Sequence, residues 1–203
     1  MGAADGAVAR RVISNEALDQ LFREARTYRK WRSGRVPEAV LREVYELAAL
    51  GPTSGNCLPG RFVFLTSEAA KERLVPALDP GNAEKTRTAP VTVIVAYASD
   101  FVETMRFTKN PNRMPWLALN PTLAEETAFR NGSLEGGYLI LAARALGLDC
   151  GPMSGFNAEM VNREFFPDGK WKANFLCNMG YGDPTGMPPR APRLGFEDAC
   201  RIS

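Results

Sequence analysis

Four segments of the chain carry residue types that can do chemistry or hold a group that does it. The first, Arg26-Thr27-Tyr28-Arg29-Lys30-Trp31, sets a hydroxyl among cations where a helix should end. It is either a solvated basic helix terminus or a site for a phosphate or a polar ring, because a guanidinium pairs well with phosphate oxygens. The second, Gly51-Pro52-Thr53-Ser54-Gly55-Asn56-Cys57-Leu58-Pro59, has the composition of a turn. It also offers hydroxyls, an amide and free backbone N–H groups to a ligand. The third, Asp149-Cys150-Gly151-Pro152-Met153-Ser154-Gly155-Phe156, is a chain reversal, or a loop whose glycines let backbone donors approach a flat ring. The fourth, Arg190-Ala191-Pro192-Arg193, is a stray basic tail or a second pair of phosphate ligands.

The 203 residues include no histidine. That removes Ser-His-Asp and Cys-His nucleophiles, imidazole-built zinc sites and histidine acid–base catalysis. What remains is carboxylate, lysine or tyrosine chemistry, or a cofactor that carries the reaction. Cys57, Cys150, Cys177 and Cys200 are scattered, with no CxxC pair, and the first residues lack the apolar run of a signal peptide. Reduced cysteines in a cytoplasmic protein are therefore expected. No stretch reaches the roughly 18 apolar residues of a membrane span. A net charge of +2 is too small to imply nucleic acid or an acidic membrane as partner. The length and a hydrophobic content of 45% fit one domain over residues 1–203 with a real core.

The elements that must position these segments follow from periodicity. Residues 1–13 read as a loose arm, and Asn15 to about Tyr28 as an amphipathic helix carrying Leu18, Leu21, Phe22 and Ala25. Pro37 opens a second helix, with Val40, Leu41, Val44, Leu47 and Ala48 on one face and Gly51-Pro52 as its stop. Residues 61–67 suit a strand and Glu68 to about Leu78 a charged helix, while PVTVIVAYA (90–98) has the unbroken apolar pattern of a strand buried on both faces. Residues 101–119 show no period and suggest an excursion over the surface. Asn120-Pro121 caps a long helix to Leu146 that Gly147 closes; its YLILAARAL half predicts a buried central helix, and Gly132, Gly136 and Gly137 would admit another backbone, as at a dimer interface. A short helix near 157–166, a strand over 174–182 and a Pro-rich tail complete an α+β layout.

In order and spacing these segments resemble the nitroreductase family over roughly residues 15–200. Arg26-Thr27-Tyr28-Arg29 matches that family's Arg-Ser-x-Arg-like segment, and Pro52 to Pro59 its Pro-Ser-Ser-x-Asn-x-x-Pro helix end. The loop from Pro152 to Phe156, the Gly-Tyr-Gly strand end and a C-terminal arginine among prolines follow in the same order. Within the family the segments GPTSGNCLP, LAEETAFRNGS, GPMSGF and RAPRLGFEDAC are most similar to the malonic semialdehyde reductases of uracil degradation. The resemblance implies a mostly antiparallel central sheet flanked by helices, a homodimer, and a tail (185–203) packing on the partner. It implies FMN as cofactor and NADH or NADPH as electron donor, with no catalytic side chain and no metal. Arg26, Thr27 and Arg29 would contact FMN, and Arg190 and Arg193 its phosphate. Pro52, Thr53, Ser54 and Asn56 would cover the ring from the other protomer, and Ser154 and Gly155 would lie at its N5 edge. Arg106, Lys109 and Arg113 read first as solvated surface charge, and otherwise as candidates for a substrate carboxylate. The sequence departs from the family at Leu58, where glutamine is usual, and near Pro188, where a lysine is common. A broad nitroaromatic or quinone reductase and a non-catalytic FMN-binding protein are the competing expectations.

Overall fold

The computed structural model describes residues 11–105 and 117–203. Most of the expected arm, and the candidates Arg106, Lys109 and Arg113, lie outside the described residues. In chain order the elements are α1 (Asn15–Leu18) continued by a π-helical turn (Asp19–Arg23), α2 (Glu38–Ala48), β1 (Gly60–Leu65), α3 (Glu68–Leu74) and α4 (Pro80–Thr88). Then come β2 (Val91–Ala98), α5 (Phe101–Thr104), α6 (Pro121–Ala145), β3 (Asp149–Met153), α7 (Ala158–Phe165), β4 (Trp171–Gly180) and α8 (Phe196–Ala199).

Every residue of β2 is buried, as its apolar run requires. The sheet has the order β1-β2-β4-β3, and every pairing is antiparallel. Because side chains alternate along a strand, Val91, Val93 and Val95 join Cys177 and Met179 beneath α2 and α6. Ile94, Ala96 and Leu176 point the other way, onto Leu74 of α3 and Val161 of α7. The sheet is thus covered on both faces, which explains why its central strand has no polar side. The four cysteines are unbonded. Among the described residues no helix is long and apolar enough to cross a membrane.

Four local expectations are corrected by tertiary contacts. The first helical stretch ends at Arg23 rather than Tyr28, because Thr27 forms a parallel bridge with Cys150 and Tyr28 N–H donates to Cys150 O at 3.0 Å. Asp149–Met153, expected within a loop, is strand β3, in register from Asp149↔Gly180 to Met153↔Leu176. Pro152 is tolerated there because β3 is an edge strand. Helix α4 was not signalled by periodicity, since Thr86 is its one buried residue.

The last correction concerns α6. Its Asn120 cap, with Oδ1 accepting from Leu123 N at 3.1 Å, and its left-handed Gly147 stop (φ 76°) are as expected. Its second half is not buried all round, for Tyr138 is 39% exposed while Leu139 and Ala143 are sealed. Two of its three glycines serve the chain's own sheet. A Cβ at Gly132 would lie 3.0 Å from Tyr97 Cβ, and one at Gly136 would lie 2.6 Å from the Phe175 ring, whereas Gly137 has nothing within 4 Å. Gly136→Val should therefore overpack this contact and cost about 1–3 kcal/mol of stability. Urea denaturation checks it, and an unchanged midpoint would mean that α6 rides higher off the sheet.

Candidate functional site

The bridge of Thr27 to β3 turns the chain so that Arg26 and Arg29 stand beside the end of α6, where the Pro-rich tail returns. The tail is stitched down by the candidate arginines themselves. Arg190 Nη2 donates to Arg23 O and Ala25 O, both at 2.7 Å, satisfying carbonyls that the π-helical end leaves open. In return Arg26 Nη2 donates to Pro188 O at 2.6 Å. Arg144 Nη1 donates to Leu21 O at 3.1 Å, and Gln20 Nε2 to Arg144 O at 2.6 Å, which ties the same corner to α6.

Between these strands of chain lies a cavity of about 340 Å³. Arg26, Thr27, Arg29, Arg190 and Arg193 all line it, so the structure gathers five of the predicted residues. Lys30 and Arg144 line it too, and sequence reasoning did not single them out although both stand in segments that drew attention. Six cations thus face one carboxylate, Asp183. The Thr185 hydroxyl and N–H hold that carboxyl below its ordinary range, so it is ionised at neutral pH. The surplus remains strongly positive, and a guanidinium cluster of this size suits a phosphate monoester. Beside it, burial pushes the Asp149 carboxyl up, while Gly182 N–H bonds it at 2.8 Å.

Ser154 and Gly155 follow β3 directly. Thr27 is level with Cys150, so Ser154 stands four residues further along, about 13 Å away at strand rise. Gly155 O accepts from Asp79 N at 3.0 Å and from Asn82 Nδ2 at 2.9 Å, and Lys85 Nζ donates to Asn82 Oδ1 at 3.2 Å. A Cβ at Gly155 would sit 2.5 Å from Asp79 Oδ2, so a larger residue would push the Asp79 and Asn82 side chains aside. The Asp79, Asn82 and Lys85 row on α4 was missed because the helix was missed. The Asp79-Pro80 pair, a cap followed by proline, was the signal that could have found it.

Pro52, Thr53, Ser54 and Asn56 are held elsewhere. Ser54 N donates to Asn131 Oδ1 at 2.8 Å, and Leu58 N to Thr53 Oγ1 at 3.2 Å. Asn56 (φ 55°) and Leu58 (φ 44°) are left-handed, each costing on the order of 1–3 kcal/mol. Asn131 and Arg144 are thirteen residues apart on α6, about 20 Å at helix rise. Within one chain, then, this loop does not join the arginine cavity. Among the described residues no group of acidic or cysteine side chains is placed to hold a metal.

Arg190→Ala should release the tail and weaken anion binding together. Inorganic phosphate affinity should fall about tenfold, the worth of a charge-assisted bond, and trypsin should cut within 184–203 sooner. Calorimetry and limited proteolysis read the two effects, and a variant unchanged in both would detach Arg190 from the cavity.

The sequence model of the nitroreductase family matches residues 22–181. A protein of Ralstonia nicotianae named as an NADH dehydrogenase/NAD(P)H nitroreductase is 53% identical over 191 residues, covering 94% of this chain and 98% of its own. One of the same name from Rhodopseudomonas palustris is 51% identical, covering 91% and 95%. Among solved structures, a nitroreductase from Exiguobacterium sibiricum in complex with FMN has the same fold, with a TM-score of 0.81 at 18% identity over 94% of this chain and 98% of that one. The match spans the cationic segment, the left-handed loop, α6 and all four strands, and the chain belongs to the nitroreductase family.

Proposed function

We propose that the chain is a cytoplasmic reductase that binds FMN, takes electrons from NADH or NADPH, and works as a homodimer with its active sites between subunits. What carries this reading is how the candidate residues divide along α6. Asn131, which holds the loop, stands six residues before Gly137, and Arg144, at the cavity, stands seven after it. Gly137 faces open space between half-exposed Leu134 and Tyr138, an apolar face that one copy leaves uncovered. A two-fold axis near Gly137 would bring the loop of one copy level with the cavity of the other, completing a site that neither holds alone.

The tail supports the same assembly. β1 is an edge strand, and beside it runs a groove of about 1080 Å³ lined by Val36, Leu41, Tyr45, Phe62 and Phe64. The tail exposes Leu194, Phe196 and Ile202. Residues 185–203 of one copy lying in the groove of the other would cover both surfaces and the open strand edge.

FMN fits the residues present. Arg26, Thr27, Arg29, Arg190 and Arg193 would hold its phosphate end in the cationic cavity. Ser154 and Gly155 would flank the ring, with Asn82 orienting that loop and Lys85 favouring negative charge nearby. Pro52, Thr53, Ser54 and Asn56 of the second copy would exclude water from its face. Bound FMN would supply the hydride relay, a chemistry that no side chain offers. Donor and acceptor take one place in turn, which predicts parallel double-reciprocal lines.

For the acceptor we assign malonic semialdehyde, reduced to 3-hydroxypropionate in uracil catabolism. Its support is the likeness of GPTSGNCLP, LAEETAFRNGS and GPMSGF to the reductases of that pathway. The relatives' name, NAD(P)H nitroreductase, favours a second reading: a broad nitroaromatic or quinone reductase. Anaerobic NADH and NADPH oxidation by FMN-saturated protein, with the semialdehyde and a nitrofuran side by side, separates them. Faster semialdehyde turnover is expected, and turnover of the nitrofuran alone would sink the assignment. For the composite site, a double variant Ser54→Ala/Asn56→Ala and the variant Arg190→Ala, each impaired alone, should regain roughly a quarter of wild-type activity when co-refolded, the share of complete sites in a random mixture of copies. No recovery would mean that one chain builds its own site.

A further inference from the structure

The loop 53–60 is built against its own backbone preferences, and α6 supplies what holds it. We infer that Asn131 and Glu135, one helical turn apart, are positioning residues that clamp both ends of this loop in its flavin-covering shape, a role that rests on the function proposed above. Asn131 Oδ1 takes the Ser54 N–H at 2.8 Å, and Glu135 Oε2 takes the Gly60 N–H at 2.7 Å. Between these two anchors lie three departures into left-handed backbone, at Gly55, Asn56 and Leu58, with only Cys57 between the last two. Leucine gains nothing from that conformation and has no side-chain bond to stabilise it. Its amide is held by Thr53 Oγ1, and its carbonyl by Arg61 Nη1 at 3.0 Å; the same Arg61 nitrogen also reaches Gly60 O at 2.8 Å. The Arg61 guanidinium lies 5.9 Å above the Trp171 ring, which fixes its direction.

Two observations separate a clamp from ordinary packing. Glu135 is 6% exposed, and burial pushes its carboxyl up against the pull of the Gly60 N–H and Arg61. A carboxylate in such a place is costly unless it has a specific bond to make. A Cβ on Gly60 would lie 2.7 Å from Glu135 Cδ, so a larger residue there would displace the carboxylate from the Gly60 N–H. Asn131 is 2% exposed, and its own amide is spent on Thr127 O at 2.8 Å, which leaves Oδ1 aimed at the loop. Ser54 and Asn56 remain exposed while the backbone beneath them is held.

The clamp is tested on the full-length protein with Glu135→Gln and Asn131→Ala, each read by hydrogen exchange of the amides at 54–60 and by the FMN dissociation constant from fluorescence quenching. Faster exchange across the loop and an FMN constant raised about tenfold are expected, from an orphaned Ser54 N–H in Asn131→Ala and from a charged acceptor traded for a neutral one in Glu135→Gln. Adding Leu58→Gly, which removes the left-handed penalty, should return most of that loss, a rescue that a merely weakened fold would not give. Unchanged exchange in both variants overturns the clamp. Faster exchange with an unchanged FMN constant overturns the positioning role while leaving wild-type flavin binding, and the function built on it, intact. A wild-type chain that takes up no FMN overturns that function itself.

Discussion

The close approach of α6 to the sheet is the constraint on which the other features depend. At Gly132 and Gly136 no side chain stands between the helix and Tyr97, Phe175 and Val95, so the helix is fixed in depth and register. From that position its inner face closes the core with Leu139, Ala142 and Ala143. Its middle presents Asn131 and Glu135 to the left-handed loop, and its last turn presents Arg144 to the cationic cavity. One helix thus sets the distance between the left-handed loop and the cationic cavity. It also sets which of its residues face outward.

The cavity at its end is an electrostatic object held together by the charges it gathers. Arg26 and Arg190 each spend part of their donor capacity on carbonyls of the opposite segment, so the tail and the end of the π-helical turn are joined by the same groups that make the pocket positive. Guanidinium groups suit this double duty because they carry five donors in a rigid fork and never lose their charge. The arrangement also tells against reading the tail as a stray basic end: a solvated tail would leave these donors to water.

The absence of histidine has a consequence for what the chain itself can supply. A chain that lends no imidazole must contribute orientation, exclusion of water and a local field, and each of these depends on where backbone and charge are held. The strained loop, the Gly155 contact with Asp79 and the row of Asn82 and Lys85 are arrangements of that kind.

Much of this was legible in the sequence. The unbroken apolar run of residues 90–98 declared a strand covered on both sides, and Asn120-Pro121 with Gly147 marked both ends of α6. The order of the cationic segment, the Pro-Thr-Ser-Gly-Asn loop and the Gly-Pro-Met-Ser-Gly-Phe run identified the family, because order and local composition are properties of the chain itself. Helix α4 was not legible, since a helix with one buried residue leaves no period. Nor was the true end of the first helical stretch, which a long-range bond from Tyr28 to Cys150 decides. Whether Gly132, Gly136 or Gly137 faced outward, and that Glu135 would meet Gly60, lay equally beyond local pattern. The sequence alone therefore determined which groups the protein has and in what order. Only the tertiary structure decided which of them stand together, because the register of α6 on the sheet is set by contacts between residues tens of positions apart.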